Sequence, residues 1–134
     1  MILLPDDLRR RMLAQGEARG ARQVPLLKLF NPLGAATWLA SELDADGDTL
    51  FGLADLGFGC PELGSFGLSE IEALRLPYGC RIERDLTFSA RFPLVVYAEA
   101  ARQQGRIIER ECWLCAAAIS LGLDPTQFRA NPHG

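Results

Sequence analysis

Four charged side chains stand in segments that otherwise have the apolar character of strands: Lys28, Glu42, Asp55 and Glu62. Lys28 is the only lysine of the chain. Burying an unpaired charge is costly, so these groups must be paired or exposed. Two interpretations remain open. Either they form a salt-bridge cluster that specifies the sheet, or Asp55 and Glu62 form an acid–base or ligand site with Lys28 as electrostatic partner.

The cysteines are the second candidate for chemistry. Cys112 and Cys115 have the two-residue separation of a zinc knuckle, but a structural zinc site needs four ligands. Cys60 and Cys80 are far apart in the sequence, and the only histidine is His133, near the C-terminus. Two small apolar thiols one helical turn apart are the interpretation that we favour. We predict no metal ion and no cofactor.

Asp44, Asp46 and Asp48 resemble the start of a calcium loop. The EF-hand order requires glycine at its sixth position and glutamate at its twelfth. Here Gly47 directly follows the second aspartate, and Asp55 occupies the twelfth position. An Asp-Gly pair between two strand-like runs is instead typical of a tight hairpin turn, which is our prediction.

Motifs for nucleophilic or nucleotide chemistry are absent from the sequence. The serines have no histidine partner within the predicted fold, and no Gly-x-Ser-x-Gly elbow occurs. The pair Gly57-x-Gly59 lacks the third glycine and the following helix of a dinucleotide fingerprint. We therefore predict no catalytic residues.

Aromatic residues favour protein binding more than catalysis. Phe58 lies between two glycines in the sequence Gly-Phe-Gly-Cys-Pro, and Trp38 lies in a strand-like run. An aromatic side chain on a glycine-framed loop is a plausible interface anchor, and a contact to a satellite core is the alternative. The predicted binding residues are Lys28, Trp38, Glu42, Asp55, Phe58 and Glu62.

Composition indicates an ordinary globular chain of 134 residues, with 49% hydrophobic and 23% charged residues. The net charge of -3 lacks the basic excess of a nucleic-acid binder. Arg9–Arg11 on the first helix are interpreted as a solvated face, and a phosphate track is the alternative. No apolar run is long enough to span a membrane, and the N-terminus lacks signal-peptide features, so we expect a cytoplasmic protein with no membrane partner.

The periodicity predicts strands in a consecutive group with helices before and after it, which indicates an α+β fold rather than alternating β and α units. We predict a mainly antiparallel sheet of four to five strands with helices packed on one face. The predicted strands are 24–30, 37–43, 50–56, a short 63–67, and 81–88.

The starts and ends of the helices are predicted from residues close to each end. Acidic residues after Pro5 favour a first helix, and Ser69 with Glu72 fits a capping box for a helix that runs to Leu76. A helix from about Pro93 to Gln104 is expected to end at Gly105, and a last helix is predicted over 106–121.

Several spaced motifs carry a family resemblance. They are Leu-Leu-Pro-x-x-Leu-Arg near the N-terminus, Leu-Lys-Leu-Phe-x-Pro at 27–32, Ala-Thr-Trp-Leu-x-x-Glu-Leu at 36–43, Phe-Gly-Leu-x-Asp-Leu-Gly-x-Gly-x-Pro-Glu-Leu-Gly at 51–64, Leu-Ser-Glu-Ile at 68–71, and Glu-Arg-Asp-Leu-x-Phe at 83–88. In this order they resemble the bacterial domain of unknown function 2958 family over about residues 2–107. This chain has Cys60 within the glycine-rich motif, where other members often have a different residue.

The resemblance implies an accessory protein of plasmids, conjugative elements or phage-derived islands, and it brings no reaction with it. We therefore expect a non-enzymatic binding module that counteracts a host defence, such as restriction or CRISPR, through protein contact. The alternative is a small enzyme or ligand-binding protein that uses Lys28, Asp55 and Glu62. We expect an α+β domain over 1–108 and a helical extension over 109–134 packed on it, whose helix could dock on the sheet or support a homodimer.

Overall fold

A five-stranded antiparallel sheet forms the centre of the molecule, which we describe over residues 1–128 from a computed structural model. The strand order is β4-β3-β2-β1-β5, so each strand up to β4 pairs with its neighbour in sequence, and β5 closes the far edge beside β1. The strands are β1 Leu27–Phe30, β2 Thr37–Leu43, β3 Thr49–Asp55, β4 Glu62–Gly67 and β5 Glu83–Arg84. The predicted α+β class and the antiparallel sheet are confirmed.

Four α-helices flank the sheet: α1 Asp6–Ala18, α2 Leu68–Ala73, α3 Leu94–Gln104 and α4 Glu111–Ser120. Short 3-10 turns lie between α2 and β5, at Pro77–Gly79, and after α4, at Pro125–Phe128. The acidic first turn of α1 and the left-handed Gly105 that ends α3 agree with the sequence prediction.

Helices cover both faces of the sheet, which corrects the prediction that they pack on one face. In β2, Trp38 belongs to a core with α1 and α2, whereas its neighbour Leu39 belongs to a core with α3 and α4. Successive side chains of a strand point to opposite faces. Six of the seven β2 residues are buried, so β2 is a central strand with no solvated face.

Two predicted elements are shorter in the structure, and side-chain hydrogen bonds hold the chain in the segments that they lose. The strand predicted over 81–88 has only Glu83–Arg84, because the Asp85 carboxylate accepts hydrogen bonds from the Thr87 amide and hydroxyl, both at 2.9 Å, and turns the chain. The last helix begins at Glu111 rather than near residue 106. The intervening segment 106–110 is bonded to side chains from the sheet.

The predicted capping box of α2 is wrong. Gly67 is the N-cap residue and provides no side-chain cap. Instead, Asp48 in the β2–β3 loop accepts hydrogen bonds from the Ser69 amide at 2.9 Å and the Ser69 hydroxyl at 3.0 Å. A carboxylate distant in sequence thus replaces the local cap at the positive end of the helix.

Candidate functional site

Lys28 lies in β1 and forms ion pairs with two acids from outside the sheet. Its Nζ atom is 2.5 Å from Glu109 Oε2 and 3.4 Å from Asp85 Oδ2. Burial lowers the pKa of Lys28, but hydrogen bonds and charge attraction from Glu109 and Asp85 outweigh burial and raise that pKa above 10.5. Burial likewise raises the pKa of Asp85, but bonds from Thr87 and Lys28 outweigh it and lower that pKa below 3.8. Lys28 therefore connects β1 to the segments after β5 and before α4.

We expect Lys28→Met to lower the free energy of unfolding by up to about 1 kcal/mol near neutral pH, because all three charged groups keep some solvent contact. The raised pKa of Lys28 means that its contribution is present below pH 10.5 and lost as pH rises further. The lowered pKa of Asp85 means that its contribution is present above pH 3.8 and lost as pH falls. Urea unfolding at several pH values should show the difference from wild type shrinking at both extremes.

The matched control for this titration is Arg10→Met, which removes an exposed cation from α1. It should change the urea midpoint little at any pH. A Lys28→Met difference that stays constant down to pH 3 would contradict the ion-pair assignment.

Asp55 ends β3 and is only 4% exposed. Its Oδ1 accepts the Gly57 amide at 2.9 Å, and its Oδ2 accepts the Ile107 amide at 3.0 Å. Both carboxylate oxygens are thus used by backbone donors, one in the next loop and one in the segment before α4. This arrangement satisfies a buried charge without a cation.

Glu42 is 6% exposed and is placed by an irregularity that the sequence does not reveal. The β2–β3 register shifts between Ala40 and Glu42, so Glu42 pairs with Phe51 while Leu39 pairs with Leu53. This bulge moves Glu42 from the Trp38 face, where strict alternation would place it, to the Leu39 face. There its Oε2 accepts the Gly20 amide at 3.1 Å and holds the loop after α1.

Glu62 does not join the other charges. It is exposed at the start of edge strand β4 and pairs with Ala54, whose side chain packs in the α1–α2 core, so Glu62 lies on the opposite face from Asp55. Within residues 1–128, its side chain makes no hydrogen bond or ion pair. Lys28 and Asp55 share a face but are separated by β2, which places them roughly 10 Å apart across the sheet.

The two aromatic candidates have opposite environments. Trp38 is buried in the core between the sheet and α1, so it is not available to a partner. Phe58 is 82% exposed on the loop between β3 and β4. The flanking Gly57 and Gly59 have φ angles of 89° and 84°, left-handed values that favour glycine and turn the aromatic ring outward.

Two further exposed leucines, which no sequence motif marked, lie at the same end of the sheet as Phe58. Leu56 lies on the same loop, and Leu33 lies in the β1–β2 turn at the same end of the sheet. A Cβ atom on Gly57 would be 3.2 Å from Ala35 Cβ, so the two loops touch. We call Leu33, Leu56 and Phe58 the loop patch. The sequence does contain a signal for both leucines, because they are large apolar residues within or directly beside predicted turn segments.

The metal hypotheses find no support within residues 1–128. No group of three or more histidine, cysteine or acidic side chains there is arranged to hold a metal ion, and all four cysteines are free. Asp46 instead organises the predicted hairpin turn, where it accepts the amides of Asp48 and Thr49, each at 2.9 Å. His133 lies outside the described residues.

Clefts on the surface do not coincide with the predicted acid–base group. One, of about 480 Å³, lies between the end of α1 and the β2–β3 loop and is lined by Glu17, Arg19 and Asp44 among others. A cleft of about 200 Å³ lies beside Lys28 and Asp85. Asp55 and Glu62 line neither of them.

The arginine run on α1 contributes to packing. Arg9 donates a hydrogen bond to the Gly47 carbonyl at 2.8 Å, which connects α1 to the β2–β3 loop.

These observations define a small α+β domain whose buried charges attach loops and helices to a central sheet. Within residues 1–128, no helix is long and apolar enough to cross a membrane. A family model described as "Protein of unknown function (DUF2958)" matches residues 3–108, and the chain belongs to that family. Comparisons with curated proteins and with solved structures returned no match. The match ends just before α4.

Proposed function

We propose that this chain is a small, non-enzymatic, cytoplasmic binding module of a bacterial mobile genetic element, and that it binds its protein partner through the loop patch. The observation that carries the proposal is the exposed Phe58 ring on a glycine-framed loop, with two exposed leucines at the same end of the sheet. Large aromatic anchors contribute disproportionately to protein interfaces.

The loop patch is held in place before any partner arrives. Asp55 Oδ1 fixes the Gly57 amide at 2.9 Å, and the Asn31 side chain accepts the Leu33 amide at 2.8 Å. A fixed loop loses little conformational freedom on binding, which favours affinity. The apolar side chains therefore have the preorganisation expected of a contact surface.

The contacts of the charged residues do not favour the alternative of a small enzyme or ligand-binding protein. Asp55 already accepts one backbone amide at each carboxylate oxygen, Lys28 is engaged by Asp85 and Glu109, and Glu62 lies on the other face. A general base must reach a substrate proton within hydrogen-bond distance. Neither Asp55 nor Glu62 lines the clefts described above.

The proposed partner is a component of a host defence system, of the restriction or CRISPR type. The association with mobile elements that the family resemblance implies supports this choice, because such elements must survive entry into a new host. A binding module is sufficient for antirestriction or anti-CRISPR action, since occupying the surface of a defence protein needs no chemistry.

We expect Phe58→Ser to abolish the protection that the wild-type protein gives to phage or plasmid DNA entering a restriction- or CRISPR-proficient host. Loss of an interface anchor typically weakens binding by about 30-fold or more. The free energy of unfolding should change by less than about 0.5 kcal/mol, because the ring is exposed. The measurements are plating or transfer efficiency, together with urea unfolding of the purified variant.

Tyr78→Ser is the matched control, because Tyr78 is an exposed aromatic on a different loop. It should leave protection intact. A photoreactive phenylalanine analogue at position 58, but not at position 78, should crosslink a defence component in host cells. Wild-type protein that protects against neither restriction nor CRISPR would refute the proposed partner class, and full protection by Phe58→Ser would refute the proposed surface.

A further inference from the structure

A further cleft, of about 290 Å³, lies on the side of the sheet that α3 and α4 cover. Its floor follows a row of residues paired across three strands: Glu42 in β2 pairs with Phe51 in β3, and Phe51 pairs with Ser65 in β4. The bulge before Glu42 turns that side chain into the row. We call this space the Glu42 cleft. The rest of its lining comes from the loop after α1 and the end of β2, with Arg19, Gly20, Ala21 and Asp44.

The Glu42 carboxylate is a buried charge with incomplete bonding. Its Oε2 accepts the Gly20 amide at 3.1 Å, whereas its Oε1 makes no hydrogen bond and the side chain forms no ion pair within residues 1–128. Oε1 is not fully enclosed, unlike the unbonded Ser41 Oγ, so it opens into the cleft that Glu42 lines. Asp55 is as deeply buried, at 4% exposed against 6% for Glu42, but both of its oxygens accept backbone amides. Buried charges normally have such partners, so Glu42 lacks a donor that a ligand can supply.

Asp44 places a second carboxylate at the same cleft. Its backbone amide and carbonyl form the β2–β3 turn with Thr49 and Gly47, but its side chain makes no hydrogen bond or ion pair within residues 1–128. Arg19 lines the cleft from an exposed loop, and in the described part of the chain it forms no ion pair with either acid. The lining therefore has two acids and one arginine, which leaves an excess of negative charge.

The ligand that fits this cleft is an organic cation. A hard metal ion such as Ca²⁺ takes about six or more oxygen ligands, and no group of three or more metal-ligating side chains occurs within residues 1–128. A guanidinium group presents several donors in one plane and can bond to the carboxylates of both Glu42 and Asp44. The apolar stem of an arginine side chain can at the same time pack on the half-buried Phe51 in the floor.

The Glu42 cleft ends at a free strand edge. β4 is the outermost strand, and the Leu68 amide that follows it donates to the Asp48 carbonyl at 2.9 Å. Residues of an antiparallel strand face the neighbouring strand alternately, so Leu63, Ser65 and Gly67 direct their backbone groups away from β3. Those groups have no partner within residues 1–128. An extended peptide complements them, and its residue opposite Ser65 would have its side chain on the cleft side.

We propose that the Glu42 cleft binds the arginine side chain of an extended segment of a partner protein, and that this segment adds to the sheet along β4. A second copy that pairs through its own β4 is not the occupant, because that strand, Glu62–Gly67, contains no basic residue. The site is separate from the loop patch, since Phe51 lies near the start of β3 and Phe58 lies after its end. The proposal therefore stands whether or not the loop patch binds a partner.

An acetylated and amidated pentapeptide of valine and threonine with a central arginine tests the site by NMR titration of the full chain. It should bind with a Kd of roughly 0.1–1 mM. The amide resonances of Gly20, which donates to Glu42, and of Ser65 should shift on binding. The same peptide with citrulline, which is neutral but has nearly the same shape as arginine, should bind at least tenfold more weakly. Equal binding of the two peptides would overturn the cation site.

Glu42→Gln should weaken binding of the arginine peptide at least tenfold, because its side-chain oxygen can still accept the Gly20 amide but the charge is lost. Glu17→Gln is the matched control, since Glu17 is an exposed acid near the end of α1 that does not line this cleft, and it should bind like wild type. Asp44→Asn, whose side chain has no bond to lose within residues 1–128, should weaken binding about threefold. Unchanged binding by both Glu42→Gln and Asp44→Asn would refute the assignment of the cleft.

Free argininamide separates the two parts of the proposal. It should bind at least tenfold more weakly than the arginine peptide, because it cannot form the backbone bonds along β4. Equal affinity would overturn the addition of a strand, and unshifted Gly20 and Ser65 amides up to about 10 mM peptide would overturn the whole proposal. Phe58→Ser should bind the peptide like wild type, so loss of protection by that variant reports on the proposed function alone.

Discussion

Gly52→Ala is expected to prevent stable folding or to lower the free energy of unfolding by at least about 3 kcal/mol. Gly52 lies in the middle of β3. A Cβ atom there would be 1.9 Å from the Leu39 carbonyl oxygen and 2.7 Å from Ala40 Cα. Both contacts are backbone atoms of central strand β2, so no side chain can rotate away, and the β2–β3 pairing itself must separate. Circular dichroism and urea unfolding measure the effect.

The pairing of β3 with β4 provides a control, because a second glycine lies directly opposite Gly52 and can receive the same substitution. Gly64 in β4 pairs directly with Gly52, but a Cβ on Gly64 would meet no atom within 4 Å. Gly64→Ala should therefore change stability by less than about 1 kcal/mol, with stabilisation expected from reduced freedom of the unfolded chain. Equal effects of the two substitutions would contradict the close β2–β3 approach that the structure shows.

Local signals were sufficient for much of the fold. Strand β2 has the predicted bounds Thr37–Leu43, the Asp46-Gly47 pair forms the hairpin turn, and Gly105 ends α3 in a left-handed conformation. Each of these features depends on neighbours within a few residues, such as an apolar run or a residue that tolerates positive φ. The sequence contains that information without knowledge of tertiary contacts.

The features that the sequence did not predict depend on contacts distant in the chain. The bulge before Glu42 shifts a side chain to the other face, and no period-two pattern contains such a shift. Asp48 replaces the Ser69 capping box across 21 residues. The sequence also did not predict that helices cover both faces of the sheet. That prediction needs the knowledge that β2 is a central strand, and the apolar run of β2 is equally compatible with a strand that is buried on one face and contacts a loop on the other.

The sequence likewise predicted one part of the candidate site and could not predict the rest. The sequence marked Phe58 through its glycine neighbours, and it marked the buried charges as unusual. It could not show which segments these charges hold. Lys28 holds the segments after β5 and before α4, Glu42 holds the loop after α1, and Asp55 holds the loop after β3 together with the segment before α4. Charges that fasten loops to a sheet and charges that meet at a site share the same sequence pattern.

Asp55 provides the sharpest test of that distinction. Asp55→Ala should lower the free energy of unfolding by about 2–4 kcal/mol, because the Gly57 and Ile107 amides both lose a charged acceptor. Asp55→Asn has nearly the same shape, but its amide group can accept only one of the two bonds, so we expect a smaller loss of about 1.5–3 kcal/mol. Urea unfolding measures the stability, and hydrogen exchange at Ile107 should accelerate in both variants.

Glu62→Gln is the matched control, since Glu62 is an exposed carboxylate on the neighbouring strand and should tolerate the change within about 0.5 kcal/mol. A catalytic carboxylate would give the opposite result, because replacing a general base by its amide removes activity while the fold keeps its stability. If Asp55→Asn were as stable as wild type, Asp55 would not be the attachment point for the segment before α4. The enzyme alternative would then regain its strongest residue.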